Sequence, residues 1–222
     1  MDFLNRFLAF DIQDLLYVII TIAIAFSVHE FAHAYTAYKF GDPTAKNQGR
    51  LTLNPLHHLD PLGTFLILFF GFGWARPVPV NRFRFEKPRL HGILTTLAGP
   101  VSNLLLAIIG AFLKYSFIAF VPYSGMMDPL LHFLHYFTYL NVLLFVFNLL
   151  PLPPLDGYRI IQDVLPHSSR VKLSQYEVYG QIIFLVIIVV PGLYWLTIGP
   201  VLHGGIALFL NGINGFFESL FF

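Results

Sequence analysis

Residues 15–40, LLYVIITIAIAFSVHEFAHAYTAYKF, are long and apolar enough to cross a bilayer, yet they carry His29-Glu30-Phe31-Ala32-His33. About 20 apolar residues in a helix rising 1.5 Å each span a hydrocarbon core of roughly 30 Å. On such a helix His29 and His33 project from one face a turn apart, so both imidazoles can reach a single Zn²⁺ while Glu30 addresses a water held there. Three ionisable groups on one intramembrane turn are costly unless a metal or a functional cavity compensates them. The pattern predicts zinc-assisted hydrolytic chemistry within a membrane helix, with His29 and His33 as ligands and Glu30 as general base.

Composition supports the membrane setting: 56% of the 222 residues are apolar and 11% are charged. The expected fold is an all-α polytopic membrane protein in contact with the lipid bilayer. The net charge of +1 and the lack of an extended basic run give no footing for nucleic-acid binding. Without cysteine there is no disulfide and no thiolate metal site, so zinc must take nitrogen and oxygen ligands. Residues 1–14 lack a basic region leading to a small-residue cleavage site, and the first apolar helix carries the chemistry, so this end is expected to be retained.

Hydropathy and its interruptions place membrane helices at about 15–40, 91–121, 131–150 and 178–199. The stretch 62–75 is too short and too punctuated, by Gly63, Gly71 and Gly73, to span comfortably, and is expected to form a re-entrant hairpin or strand. Pro191-Gly192 interrupts the fourth helix, and the glycine-broken stretch 201–221 reads as an interfacial helix or a further span. The expectation is thus about four to six transmembrane helices in one domain, 1–222, with a core at 15–165 and C-terminal helices at 178–222.

Eight of the 13 Lys and Arg residues lie between Lys39 and Arg89 and three between Arg159 and Lys172. The positive-inside bias makes both basic loops cytoplasmic and places the N-terminus and the loop around Pro122 outside. This holds only if 62–75 enters and leaves on the same side. His29 then lies roughly 9 Å inside the cytoplasmic boundary of the hydrocarbon, so the site is nearer the cytoplasm and needs a water path from it.

Two histidines leave a catalytic zinc one protein ligand short. Asp156 is the best candidate, in Asn148-Leu149-Leu150-Pro151-Leu152-Pro153-Pro154-Leu155-Asp156-Gly157. Closely spaced prolines must end the preceding helix, and irregular backbone survives at membrane depth only within protein or beside a water-filled cavity. The alternative is a helix-ending loop at the interface, with Asp156 solvated or capping the next helix.

Together the two motifs resemble the site-2 protease family of intramembrane zinc metalloproteases. The resemblance implies that His29 and His33 bind one zinc per chain, that Glu30 is catalytic and that Asp156 is the third ligand. It extends to Gly99-Pro100-Val101-Ser102-Asn103, which matches a G-x-x-x-N-like element, and to the loop from Gly73 to Asn81. It covers roughly residues 15–165 and looks like a compact member without a PDZ or CBS domain. It implies a transmembrane protein substrate, a role in regulated intramembrane proteolysis and a place in the cell membrane.

Asn103 and Asn148 lie in otherwise apolar helices, where an amide serves as interhelical glue or, as the resemblance implies, binds substrate or stabilises an oxyanion. Asn141 matches no motif and reads as glue. His57-His58 and His132-x-x-His135 lack a carboxylate to complete a second metal site. The rival reading is a transporter or ion-conducting protein whose His29, Glu30, His33 and Asp156 form a relay beside a broken helix.

Overall fold

A computed structural model describes residues 9–222; the exterior position expected for the N-terminus, with Arg6, lies on residues 1–8, outside those described. The described residues are all-α, with ten helices: α1 (Leu15–Lys39), α2 (Thr44–Asn47), α3 (Pro61–Phe70), α4 (Pro88–Phe120), α5 (Asp128–Asn148), α6 (Asp156–Val164), α7 (His167–Gln175), α8 (Glu177–Val189), α9 (Pro191–Leu196) and α10 (Ile198–Phe221). Three of them, α1, α4 and α5, are long and apolar enough to cross a membrane, and the pair α7–α8, bent by 54°, makes a fourth if counted as one span.

These three helices form the centre of the bundle, and their direction follows from which residues meet. His29 and His33 of α1 touch Asn103 and Thr95 of α4, so α1 and α4 are antiparallel. Asn103 and Gly110 of α4 meet Asn141 and Phe137 of α5, so that pair is antiparallel too. Between membrane helices the drive is close van der Waals packing, which small residues permit. A Cβ at Gly110 would sit 2.8 Å from both the Phe137 ring and the Thr138 hydroxyl.

The stretch after α1 is set by its caps. Asp60 accepts a hydrogen bond from the Gly63 N–H at 2.8 Å, Pro61 occupies the first turn of α3, and Gly71 ends it in the left-handed conformation at φ 71°. The chain then runs back until Ala75 pairs antiparallel with Leu59 and the Arg76 N–H donates to the His58 carbonyl at 2.7 Å. A segment whose two ends pair cannot cross a bilayer. The re-entrant expectation holds, but as helix α3 plus an extended return strap, 72–81, rather than a strand ladder. Pro77 and Pro79 have no N–H to contribute to one.

The C-terminal part departs from the expected spans. The helix predicted at 178–199 stops at Val189, because Pro191 starts a new short helix, and 13 residues reach only about 20 Å. By contrast 201–221 lies within one continuous helix despite its glycines and asparagines. Gly205 packs on Val146, Phe209 on Phe145 and Phe217 on Tyr115, so α10 leans on α4 and α5.

Candidate metal centre

His29 and His33 sit on the buried face of α1. The His29 Nδ1 lies 2.6 Å from the Asn103 Oδ1, and the His33 Nδ1 lies 2.7 Å from the Thr95 carbonyl oxygen. A carbonyl only accepts, so each Nδ1 carries the proton and each Nε2 presents a bare lone pair. Outer partners of this kind fix ring orientation and tautomer in metal-ligating histidines.

Asp156 reaches the same point from the first turn of α6, beyond the proline-broken stretch 149–155 that ends α5. Its Oδ2 lies 3.2 Å from His29 Nε2 and 3.3 Å from His33 Nε2, and the two Nε2 atoms are 3.0 Å apart. That oxygen is buried without a hydrogen-bond donor of its own. Three electron-rich atoms so placed repel one another unless a cation lies between them. Their spacing approaches the ~3.3 Å edge of a tetrahedron with bonds of about 2.05 Å, the length of zinc–nitrogen and zinc–oxygen bonds. The donor set therefore fits zinc, and among the described residues it is the one group of three or more such side chains that can hold a metal. The solvated-loop alternative for Asp156 does not match its placement.

Glycine makes the convergence possible. A Cβ on Gly99 would collide with His33 Nε2 and approach His29 Cε1 to 2.7 Å, so the rings occupy the space a side chain would fill. Pro100, inside α4, cannot donate to the carbonyl four residues before it and loosens the helix beside Thr95, the acceptor for His33.

His29, Glu30, His33, Asp156 and Asn148 line one cavity of about 490 Å³. Its lining combines apolar Phe26, Phe72 and Phe147 with polar Arg82, Arg159 and Gln181. Glu30 does not join the three converging atoms; its Oε2 accepts the Val78 N–H at 2.8 Å, an interaction with no sequence signal. Asn148 donates to the carbonyl of Leu144 on its own helix at 2.9 Å, leaving its oxygen free. Asn103 does not line the cavity: it is fully buried behind His29. Outside the spans, burial pushes the Asp163 carboxyl of α6 above its ordinary range, against the pull of Arg82 at 2.9 Å. This pair fastens α6 to the loop leading into α4.

His58 and His132, one from each remaining histidine pair, have partners of their own. The buried His58 binds the Thr52 carbonyl through Nε2 at 2.7 Å. His132 pairs with Asp14 at 2.7 Å, a carboxylate the spacing of the histidines did not reveal, and no third group joins them among the described residues.

Comparison with known proteins agrees with this geometry. Residues 117–191 match Peptidase family M50. Three relatives each bear the name "Putative zinc metalloprotease": YwhC of Bacillus subtilis is 52% identical over 98% of this chain and 100% of its own. Rip2 of Mycolicibacterium smegmatis is 33% identical over 75% of this chain and 64% of its own, and MJ0611 of Methanocaldococcus jannaschii is 32% identical over 67% and 71%. No solved structure matches significantly. The chain belongs to peptidase family M50, the site-2 proteases.

Proposed function

We propose that this protein is a zinc endopeptidase that hydrolyses peptide bonds in or next to the transmembrane segments of membrane proteins, and that the chain forms one membrane protease domain. The observation that carries the proposal is the convergence of His29 Nε2, His33 Nε2 and Asp156 Oδ2 within 3.0–3.3 Å in the cavity that also holds Glu30. Zinc, when bound there, supplies the Lewis acid that polarises the scissile carbonyl and acidifies a water.

The chain's own groups do the rest. With Oε2 held by the Val78 amide, Glu30 keeps Oε1 to take the proton of the attacking water and deliver it to the leaving amine nitrogen. Asn148, at the cavity wall, offers an amide to the substrate backbone or the developing oxyanion once it releases Leu144. The substrate must unwind locally, and the strap 72–81 offers it backbone partners, carbonyls at Pro77 and Pro79 included. The positive-inside bias of the basic loops supports a site nearer the cytoplasm.

The test uses purified full-length protein in proteoliposomes with a labelled transmembrane substrate. Cleavage that a chelator abolishes and zinc restores is the expected result. Metal flux across the vesicle without cleavage supports the transporter reading instead.

A further inference from the structure

We propose that Asn141 is a positioning residue for the metal centre, acting through Asn103 on the tautomer and orientation of His29. The inference rests on the zinc reading of His29, His33 and Asp156 and extends it to a residue that touches neither metal nor substrate.

The relay joins all three central helices. Asn141 on α5 and Asn103 on α4 are each 0% exposed, so water replaces none of their partners. Asn141 Nδ2 donates to the Phe137 carbonyl at 2.8 Å. Its Oδ1 therefore faces Asn103 and accepts the Asn103 Nδ2 at 3.0 Å. Asn103 Nδ2 also donates to the Ala25 carbonyl of α1 at 3.3 Å. With that amide nitrogen spent, Asn103 turns its Oδ1 to His29 Nδ1 at 2.6 Å.

The polarity of every link is forced. Main-chain carbonyls can only accept, so Phe137 and Ala25 fix which end of each amide is NH₂. If Asn103 were flipped, its oxygen would face two other oxygens, those of Asn141 and Ala25, and its NH₂ would face His29. The imidazole would then accept at Nδ1 and carry its proton on Nε2, the atom that must be bare to bind a metal. Asn141 makes that flip costly; the longer contact to Ala25 alone holds the amide less firmly. In this chain the residue that looks like interhelical glue selects the ligating form of His29.

The experiment measures zinc affinity of the full-length protein in detergent by competition with a chromophoric chelator, with no substrate present. Asn141→Leu is expected to weaken zinc about 10- to 100-fold, the usual cost of losing an outer partner of a metal ligand. Thr138→Val is the control. Thr138 is also buried on α5 but its hydroxyl bonds within its own helix, to Leu134, so zinc affinity should stay within a few-fold of the unaltered protein. Asn103→Asp, added to Asn141→Leu, should restore binding, because a carboxylate can only accept from His29 whichever way it turns. A merely structural role for Asn141 predicts no such rescue.

Wild-type zinc affinity in Asn141→Leu, an equal loss in Thr138→Val, or failure of the rescue overturns the relay. Asn141→Ala makes the same measurement if the leucine variant does not fold. Failure of the unaltered protein to bind zinc, by contrast, overturns the reading of the centre itself.

Discussion

The backbone N–H of Val78 donates to the Glu30 carboxylate at 2.8 Å, joining the strap to the helix that carries both histidines across 48 residues of sequence. The strap is held there at further points. The Arg50 guanidinium grips the Arg76 carbonyl at 2.6 Å, and the Asn81 N–H donates to buried Asp42 at 2.6 Å. The prolines at 77 and 79 leave Val78 as the single N–H donor of that tripeptide, and it is spent on the proposed base.

Val78→Pro removes that donor while keeping an extended backbone, and Val78→Ala keeps it. The proline variant should retain zinc but lose about 10- to 100-fold in kcat, the scale on which a misplaced catalytic group acts. The alanine variant should cleave normally. Equal activity in the two variants, measured on the same labelled substrate, denies the amide any role in orienting Glu30.

Glu30→Gln should bind zinc as the unaltered protein does, since Glu30 stands apart from the three converging atoms. Cleavage should fall at least about 10²-fold. Near-normal turnover with zinc content verified would remove Glu30 from the mechanism.

Asp156→Asn exchanges an anionic donor for a neutral amide, so zinc occupancy and cleavage should fall together. Metal content after dialysis against a mild chelator is the measurement. Unchanged occupancy eliminates Asp156 as a ligand.

Gly99→Ala places a methyl group where the His33 ring lies and 2.7 Å from His29 Cε1. The rings must move, so zinc affinity should drop by an order of magnitude or more while the protein remains helical by circular dichroism, alanine being a better helix former than glycine. Affinity equal to that of the unaltered protein would show that α4 does not press on the centre.

Because the chain has no cysteine, topology is directly testable. Leu56→Cys and Phe83→Cys, both on highly exposed residues flanking the re-entrant segment, should label from one side of sealed vesicles. Met126→Cys, in the connection between α4 and α5, should label from the other. Opposite-side labelling at 56 and 83 would make 61–75 a true span.

What the sequence reveals follows from how locally each feature is encoded. His29, Glu30 and His33 are legible together because one helix sets their geometry. Asp156 needs the folding of α6 onto α1; its proline-broken segment marks it as a candidate, and the resemblance decides between a ligand and a solvated loop residue. The amide of Asn103 announces that a partner exists but not its direction, which depends on Asn141 from a third helix. The strap's hold on Glu30 leaves no trace, since a backbone N–H is common to nearly every residue. At the C-terminal end the interruption expected at Pro191-Gly192 is a full break between two helices, and 201–221 is a helix as expected, its Gly205 making room for Val146.

Helix α3 and the strap are locked backbone to backbone: a Cβ at Gly63 would run into the Trp74 carbonyl, and one at Gly73 into the carbonyl of Gly63. Neither element can slide without the other. Leu62, Phe65 and Phe70 of α3 are exposed on the apolar surface of the protein. A displacement of α3 would therefore carry the strap and Val78 with it, and through the Val78 N–H the carboxylate of Glu30.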